Sequence, residues 1–418
     1  MTSYRTSEVF VPGGMPLLTY VSRTGRNLEE RLRAAEDNLC KLVTVTGATK
    51  SGKTVLVNQV FPRDKCIWVD GGAVDQEEDF WNYILDEIGG YTEDVNQEGR
   101  GNSTTLKGEL SGEARIPFIA KSTGKGAIEY ERSSTKGTSK KLQLTARAAA
   151  ISQLRYIKLP LIIDDFHYLD RNFQGNIIRA IKPLIFEGLP VILIAIPHRR
   201  YDAVRVEREM TGRLESIPIP TWEIKELEEI ANQGFPLLNL RVEPNVISGL
   251  ANEAYGSPHL MQEFCKDLAK AHNVAKTLDT VKSINEVSLE LFRGVAEGTG
   301  KVVFDKLARG PRQRTDRMQR RLKTGETADI YRVTLYALAR LAPGLDTITY
   351  EQLRSAIRDV LADSLPQAHE VSRVLEKMAV IAADDEASTP VLDWEKEEQK
   401  LHITDPFFAF YLKWGACQ

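Results

Sequence analysis

Apolar positions along the chain fall into two textures. Between about residues 40 and 220, short and nearly unbroken apolar runs alternate with stretches whose apolar residues recur every three or four positions. The runs are Leu42–Val45, Cys66–Val69, Leu159–Ile163 and Leu189–Ile196, followed by a shorter mixed segment, Leu214–Ile219. A run that is apolar at consecutive positions offers both faces to other side chains, so each run predicts a buried strand of a parallel sheet. Helical spacing between the runs, from Lys53 to about Val60, through Phe80, Tyr83, Ile84 and Ile88, and from Gln174 to Phe186, predicts helices that cover that sheet. The alternation predicts a three-layer α/β domain with a parallel sheet. Beyond residue 220 the spacing is mainly helical until three short segments near the end, Ala379–Ala382, Val391–Trp394 and Leu401–Thr404, predict strands.

Other stretches depart from this rhythm. The lead-in, residues 1–39, carries Val9–Val11, Tyr20-Val21 and a helical pattern from Leu28 to Leu39, and is expected to pack on the core of residues 40–220. From about 98 to 141 the texture turns to glycine, serine and threonine with alternating runs at Arg115–Ala120 and Ala127–Glu131, which predicts a β-hairpin insertion. Between Arg100 and Arg147 ten basic residues stand against four glutamates. Such a segment is either a solvated hairpin or a contact with nucleic acid or a neighbouring subunit. Residues 221–325 read as helices ending in a basic connector, in which Arg309, Arg312, Arg314, Arg317, Arg320, Arg321 and Lys323 oppose Asp316. Residues 326–418 form the last predicted domain.

Composition changes this picture little. The 418 residues, 42% hydrophobic and 27% charged, suit a globular chain of two or three domains. A net charge of −3 says nothing about partners. No apolar run approaches the roughly 18 residues that span a bilayer, and the polar start lacks the core of a signal peptide, so a cytoplasmic location is expected. Cys40, Cys66, Cys265 and Cys417 stand too far apart to suggest a zinc site or a disulfide framework.

Chemistry concentrates where the first run ends. Gly47-Ala48-Thr49-Lys50-Ser51-Gly52-Lys53-Thr54, followed by Val55, fits G-x-x-x-x-G-K-[ST] between a strand pattern and a helix pattern. The glycines let consecutive N–H groups turn toward phosphate oxygens, and the helix starting at Lys53 adds the positive end of its dipole. Lys53 is the candidate for the β- and γ-phosphates, and the Thr54 hydroxyl for Mg²⁺. A second run, Leu159–Ile163, delivers Asp164 and Asp165 to a strand end. There Asp164 is the candidate metal-side carboxylate and Asp165 the group that orients or deprotonates water.

Taken together these motifs resemble an AAA+ ATPase, most closely the STAND and origin-recognition branch. The resemblance covers about residues 18 to 414. It implies a helical lid in which Tyr255-Gly256-Ser257-Pro258-His259 is similar to the Gly-x-Pro element that touches nucleotide, with Pro258 and His259 at the base or ribose. Val11, Tyr20 and Val21 are candidates for the adenine wall. His198 or Arg199 matches the sensor-1 position, and Arg213 or Arg208 the arginine supplied to a neighbouring subunit. Many relatives have Asp-Glu where this chain has Asp164-Asp165, which places a shorter carboxylate at the water. The order of elements after Ala328 resembles a winged helix. Leu401-His402 with Asp405 is faintly similar to the Met-His-Asp element of NLR-type relatives, at a different spacing.

The implied function is an ATP/ADP-dependent switch with Mg²⁺, slow in hydrolysis, that controls homo-oligomerisation and a partner effector. Antiphage defence is the setting the family implies. A DNA-binding AAA+ regulator of the transposition or replication-loading type, contacting nucleic acid through residues 309–323 and the winged helix, is the alternative. A small-molecule kinase is disfavoured, because a lid followed by a winged helix offers no obvious acceptor site.

Overall fold

The computed structural model describes residues 2–37, 40–101, 128–132, 140–195, 212–312, 317–342, 344–345, 347–383 and 390–416. Contacts divide the chain into two compact units, one of Asn27–Thr46 and Leu56–Pro218, the other of Met1–Arg26, Gly47–Val55 and Ile219–Gln418.

The first unit is built on a wholly parallel sheet. Its strands are β1 (Leu42–Thr46), β2 (Ile67–Asp70), β3 (Leu161–Asp164), β4 (Val191–Ala195) and β5 (Leu214–Pro218), ordered β2-β3-β4-β1-β5. β1 and β4 are buried along their whole length, as their unbroken apolar runs require. Register pairs Asp70 with Asp164, and sets Leu42 beside both Val191 and Leu214. Because every strand runs the same way, Thr46, Asp70, Asp164 and Ala195 share the carboxyl edge, while Leu42 and Leu214 mark the amino edge. α1 (Lys53–Val60) follows the first motif. Apolar stripes of α2 (Glu77–Gly101), α3 (Ala146–Ile157) and α4 (Arg171–Phe186) pack Phe80, Trp81, Ile84, Ala150, Leu154, Ile177 and Ile181 into one core. No sequence pattern marks α3, since its core-facing positions are mostly alanine; Thr145 starts it, accepting a hydrogen bond from the Ala148 N–H. In the insertion, Ile128–Arg132 pairs antiparallel with Lys140–Leu144. The other run expected in that hairpin, Arg115–Ala120, lies outside the described residues.

The second unit holds α5 (Ile224–Leu237), α6 (Pro244–Glu253), α7 (Pro258–Ala271), α8 (Leu289–Thr299) and α9 (Lys301–Arg309). A short parallel pair joins Leu240–Val242 to Lys282–Ile284 inside what the sequence suggested was a helical connector. The lead-in, expected against the α/β core, divides instead. Its first part packs into this helical core, where Phe10 meets Phe235 edge to face at 5.1 Å and the Thr6 hydroxyl donates to the Val274 carbonyl. Gly234 makes that fit, because a Cβ there would lie 2.3 Å from the Phe10 ring. Residues from Asn27 onward belong with the sheet.

Beyond residue 326 come α10 (Ile330–Leu341), α11 (Tyr350–Val360), α12 (Ala368–Ala383) and α13 (Pro406–Trp414). Three antiparallel strands, β6 (Thr347–Thr349), β7 (Leu392–Glu395) and β8 (Lys400–Ile403), pair in the order β6-β8-β7. Two expectations are corrected here. Ala379–Ala382 is helical, because Val371, Val374, Leu375 and Met378 keep helical spacing on one buried face and carry α12 through. The missing strand is Thr347–Thr349, just ahead of α11, whose start is fixed by a capping box between Thr349 and Gln352. α13 is buried at every position from Pro406 to Leu412, so Phe407, Phe408, Phe410 and Tyr411 are core.

Candidate functional site

The Gly47–Thr54 motif forms a tight loop whose glycines are sterically required. A Cβ on Gly47 would sit 2.8 Å from the Ser51 hydroxyl and 2.9 Å from Ile219 Cβ, and Gly52 has a φ of +88°. Lys50 also takes a left-handed backbone, at φ +60°, without the freedom of glycine. Lys53 is buried to 9% exposure and donates to the Gly47 carbonyl at 3.0 Å and the Ala48 carbonyl at 2.9 Å. The Ser51 hydroxyl is buried with no hydrogen-bond partner. A cradle closed to any side chain, a buried cation and an unanswered hydroxyl suit a bound phosphate chain.

Segments remote in sequence hold this loop. The Trp222 indole N–H donates to the Ser51 carbonyl at 2.9 Å. A trans peptide directs its C=O and the next N–H oppositely, so a Ser51 carbonyl pinned toward Trp222 turns the Gly52 N–H the other way. Trp222 is itself fixed by Arg23, which lies 4.8 Å over the ring and donates to the Pro220 carbonyl and both Glu226 carboxylate oxygens. Burial works to raise the Glu226 carboxyl, but hydrogen bonds from Arg23 and the Glu223 backbone outweigh it and hold it below its ordinary range. On another side, the Lys50 ammonium meets the Asp405 carboxylate at 3.2 Å and lies 3.4 Å from the centre of the Phe407 ring.

The proposed base-side residues belong to the same unit as the loop. Val21 is buried, and Val11 and Tyr20 are half-buried. The Val11 N–H donates to Gln262 at 3.1 Å; Gln262 donates to Thr19, and Thr19 to the Val9 carbonyl. This buried relay ties the lead-in to α7. Pro258 occupies the first position of α7, which Ser257 caps, so the Ser-Pro pair serves as a helix start whatever else it does. His259 packs its ring on Phe407 at 4.9 Å and against Gly13. Burial, with the Lys50 and Lys266 charges, pushes the imidazole down to about 4.

The acidic pair, in the other unit, is supported locally. Asp164 ends β3 at 6% exposure and accepts a hydrogen bond from the Asp165 N–H at 2.9 Å. Asp165 adopts a left-handed conformation, φ 48° and ψ 39°, and starts the short 3₁₀ turn Phe166–Tyr168. Gln174, wholly buried, donates to the Phe166 and Leu169 carbonyls. Gly71 passes so close that a Cβ would lie 2.6 Å from the Asp165 carbonyl oxygen.

Arg213 is exposed at the amino edge of the sheet; its carbonyl accepts from Leu42 and its guanidinium lies 5.1 Å over Phe186. His198, Arg199 and Arg208 lie outside the described residues. His402 bonds Thr347 at 3.1 Å and Glu395 at 3.4 Å within its own sheet, and it is Asp405 that reaches the loop. In the basic connector Arg317 pairs with Asp329 at 2.6 Å and Arg320 with Glu370 at 3.2 Å. Among the described residues no three His, Cys, Asp or Glu side chains cluster to hold a metal, and no helix is long and apolar enough to cross a membrane. Sequence reading missed Arg23, Thr19, Trp222, Gln262 and Phe407 as parts of the site's frame.

No protein-family model and no curated protein matches the chain. Solved structures do. A Walker-type ATPase of Pyrococcus abyssi matches at 15% identity and a TM-score of 0.53, with 94% of this chain and 96% of that chain covered. The Cdc6 protein of Pyrobaculum aerophilum matches at 11% identity and 0.44, over 97% and 96%. A Signal Transduction ATPase with Numerous Domains (STAND) protein of Pyrococcus horikoshii, which carries a tetratricopeptide repeat sensor, matches at 15% and 0.37, over 94% of this chain and 42% of that one. The chain has the α/β fold of an AAA+ P-loop ATPase.

Proposed function

We propose that this chain is an ATP-binding and slowly hydrolysing switch whose nucleotide state controls self-association and an effector protein. The observation that carries the reading is the Gly47–Thr54 loop, glycine-constrained at both ends and closed around a buried Lys53. In this reading the loop N–H groups and Lys53 hold the phosphates, and Val11, Tyr20, Val21, Pro258 and His259 surround the base. Thr54 and Asp164 would be the residues to hold Mg²⁺, which would supply neutralisation of phosphate charge. Asp165 orients or deprotonates the attacking water. A carboxylate one methylene shorter than glutamate reaches less far, which supports slow turnover.

Arg213 supports the oligomeric part of the reading. It sits beside Leu42, at the opposite end of β1 from the loop. A five-residue strand spans roughly 15 Å, and on that ground we read this guanidinium as one that serves the nucleotide of another copy. The module of α10–α12 and β6–β8 is read as a winged helix that braces the lid. Antiphage defence remains the proposed setting, on the resemblance alone, and phage challenge of cells with and without the gene tests it. The DNA-binding alternative is weakened because Arg317 and Arg320 are already paired with carboxylates.

The test is assembly and complementation. Wild-type protein should form larger species with ATP and Mg²⁺ but without DNA, and its specific activity should rise with protein concentration. Arg213→Ala should bind ATP yet lose hydrolysis, and mixing it with Asp165→Ala should restore part, since one interface then joins an intact Asp165 to an intact Arg213. Hydrolysis by a strict monomer, or salt-dependent duplex binding required for assembly, would contradict the switch.

A further inference from the structure

The third variable position of the phosphate loop is occupied by a lysine that does not face the loop's interior. Lys50 instead extends to the start of α13, where Asp405 accepts from it at 3.2 Å and the Phe407 ring lies 3.4 Å beneath its ammonium. The pair is well shielded, with side-chain exposures of 28% and 11%, so it is screened less than a surface ion pair. Asp405 has a second duty. Its other carboxylate oxygen accepts from the Phe408 N–H at 2.8 Å and caps α13. Phe407 is held in turn by the His259 ring of α7. α13 is buried from Pro406 to Leu412, so both partners are presented from a rigid element.

Lys50 also has the one left-handed non-glycine backbone in the loop, a conformation that costs about 1 kcal/mol or more. With Lys50 released, the loop between Gly47 and Gly52 would be free to relax that turn and redirect its N–H groups. We infer that Lys50, Asp405 and Phe407 form a clamp that positions the phosphate loop, making the start of α13 a working part of the nucleotide site. These three are positioning residues, since they act through the loop backbone. The inference rests on the reading of that loop as an ATP site.

Asp405→Asn isolates the clamp, because asparagine caps a helix as well as aspartate but carries no charge. In the full-length protein, a fluorescent ATP analogue with Mg²⁺ should bind about tenfold more weakly to Asp405→Asn and to Lys50→Met, as expected for loss of a shielded charge-assisted contact. Lys50→Arg, which keeps a cation on the ring and carboxylate, should stay within about twofold of wild type. The double variant Lys50→Met/Asp405→Asn should be no weaker than either single variant. Without nucleotide, amide hydrogen exchange of residues 48–53 should quicken in Asp405→Asn while α13 keeps its protection. Unchanged or tighter binding with unchanged exchange, or losses that add in the double variant, would overturn the clamp. If wild type binds no nucleotide, the reading of the site fails, and the exchange of residues 48–53 still decides whether Asp405 holds the loop.

Discussion

The phosphate loop and the acidic turn after β3 are both short motifs, but they are held in different ways. The loop is fixed by Trp222, 171 positions from Ser51, and by Asp405, 355 positions from Lys50. The acidic turn is fixed by Asp164 itself, by Gln174 eight positions from Phe166, and by the close pass of Gly71, the residue just after β2. Burial in the sheet's own core suffices to hold a strand end. A loop that must turn its N–H groups inward leaves its carbonyls and lysines to be met from outside, and those partners come from Trp222, just ahead of α5, and from the start of α13. The difference suggests that the acidic turn is a fixed chemical group, whereas the loop's shape depends on how the helical unit is folded.

Changes at the acidic turn should therefore alter chemistry or local stability and leave affinity alone. The largest effect is expected for Asp165→Ala, which should lower steady-state hydrolysis about 10³-fold, within the usual range for loss of a general base, with ATP affinity unchanged. Weakened affinity in that variant would break the contrast. Gly71→Ala should follow, destabilising the protein by about 1–3 kcal/mol through the clash with the Asp165 carbonyl, as read by denaturant unfolding.

At the loop the order reverses, and affinity should respond to residues far from any phosphate. Trp222→Phe keeps the ring beneath Arg23 but removes the hydrogen bond to Ser51, worth about 1 kcal/mol, so ATP should bind roughly fivefold more weakly. Equal binding by calorimetry would show that the loop needs no such hold.

A smaller effect concerns His259, which faces Gly13, Phe407, Lys50, Lys266 and Asp405. Its imidazole is pushed from an ordinary 6.5 down to about 4, so the folded protein refuses a proton that the unfolded chain accepts between those values. Stability from this group is therefore complete above about pH 6.5 and is lost as pH falls toward 4. His259→Leu should show a smaller drop in unfolding midpoint between pH 7 and pH 5 than wild type; an identical drop would assign the pH response elsewhere.

Much of this was legible in the sequence, for a physical reason. Four of the five core strands read clearly because a buried parallel strand is apolar at consecutive positions, whereas β5, at the sheet edge, is mixed; both motifs read clearly because their chemistry fixes residue types a few positions apart. α3 was not legible, since its buried face is alanine, nor was the three-residue strand Thr347–Thr349. The contacts that frame the loop were not legible. Arg23, Trp222, Gln262 and Asp405 are ordinary residues until folding brings them beside partners more than 170 positions away. Asp405 carried a faint family signal, but that signal pointed to His402, which is occupied by Thr347 and Glu395.

The most direct measurement is ATP binding by calorimetry, with and without Mg²⁺, to wild type and to Lys53→Ala. One saturable site per chain in wild type, tightened by Mg²⁺ and weakened at least about 100-fold in the variant, is the expected result. Absence of binding to wild type, or equal binding to Lys53→Ala, would contradict the assignment of the loop as the nucleotide site.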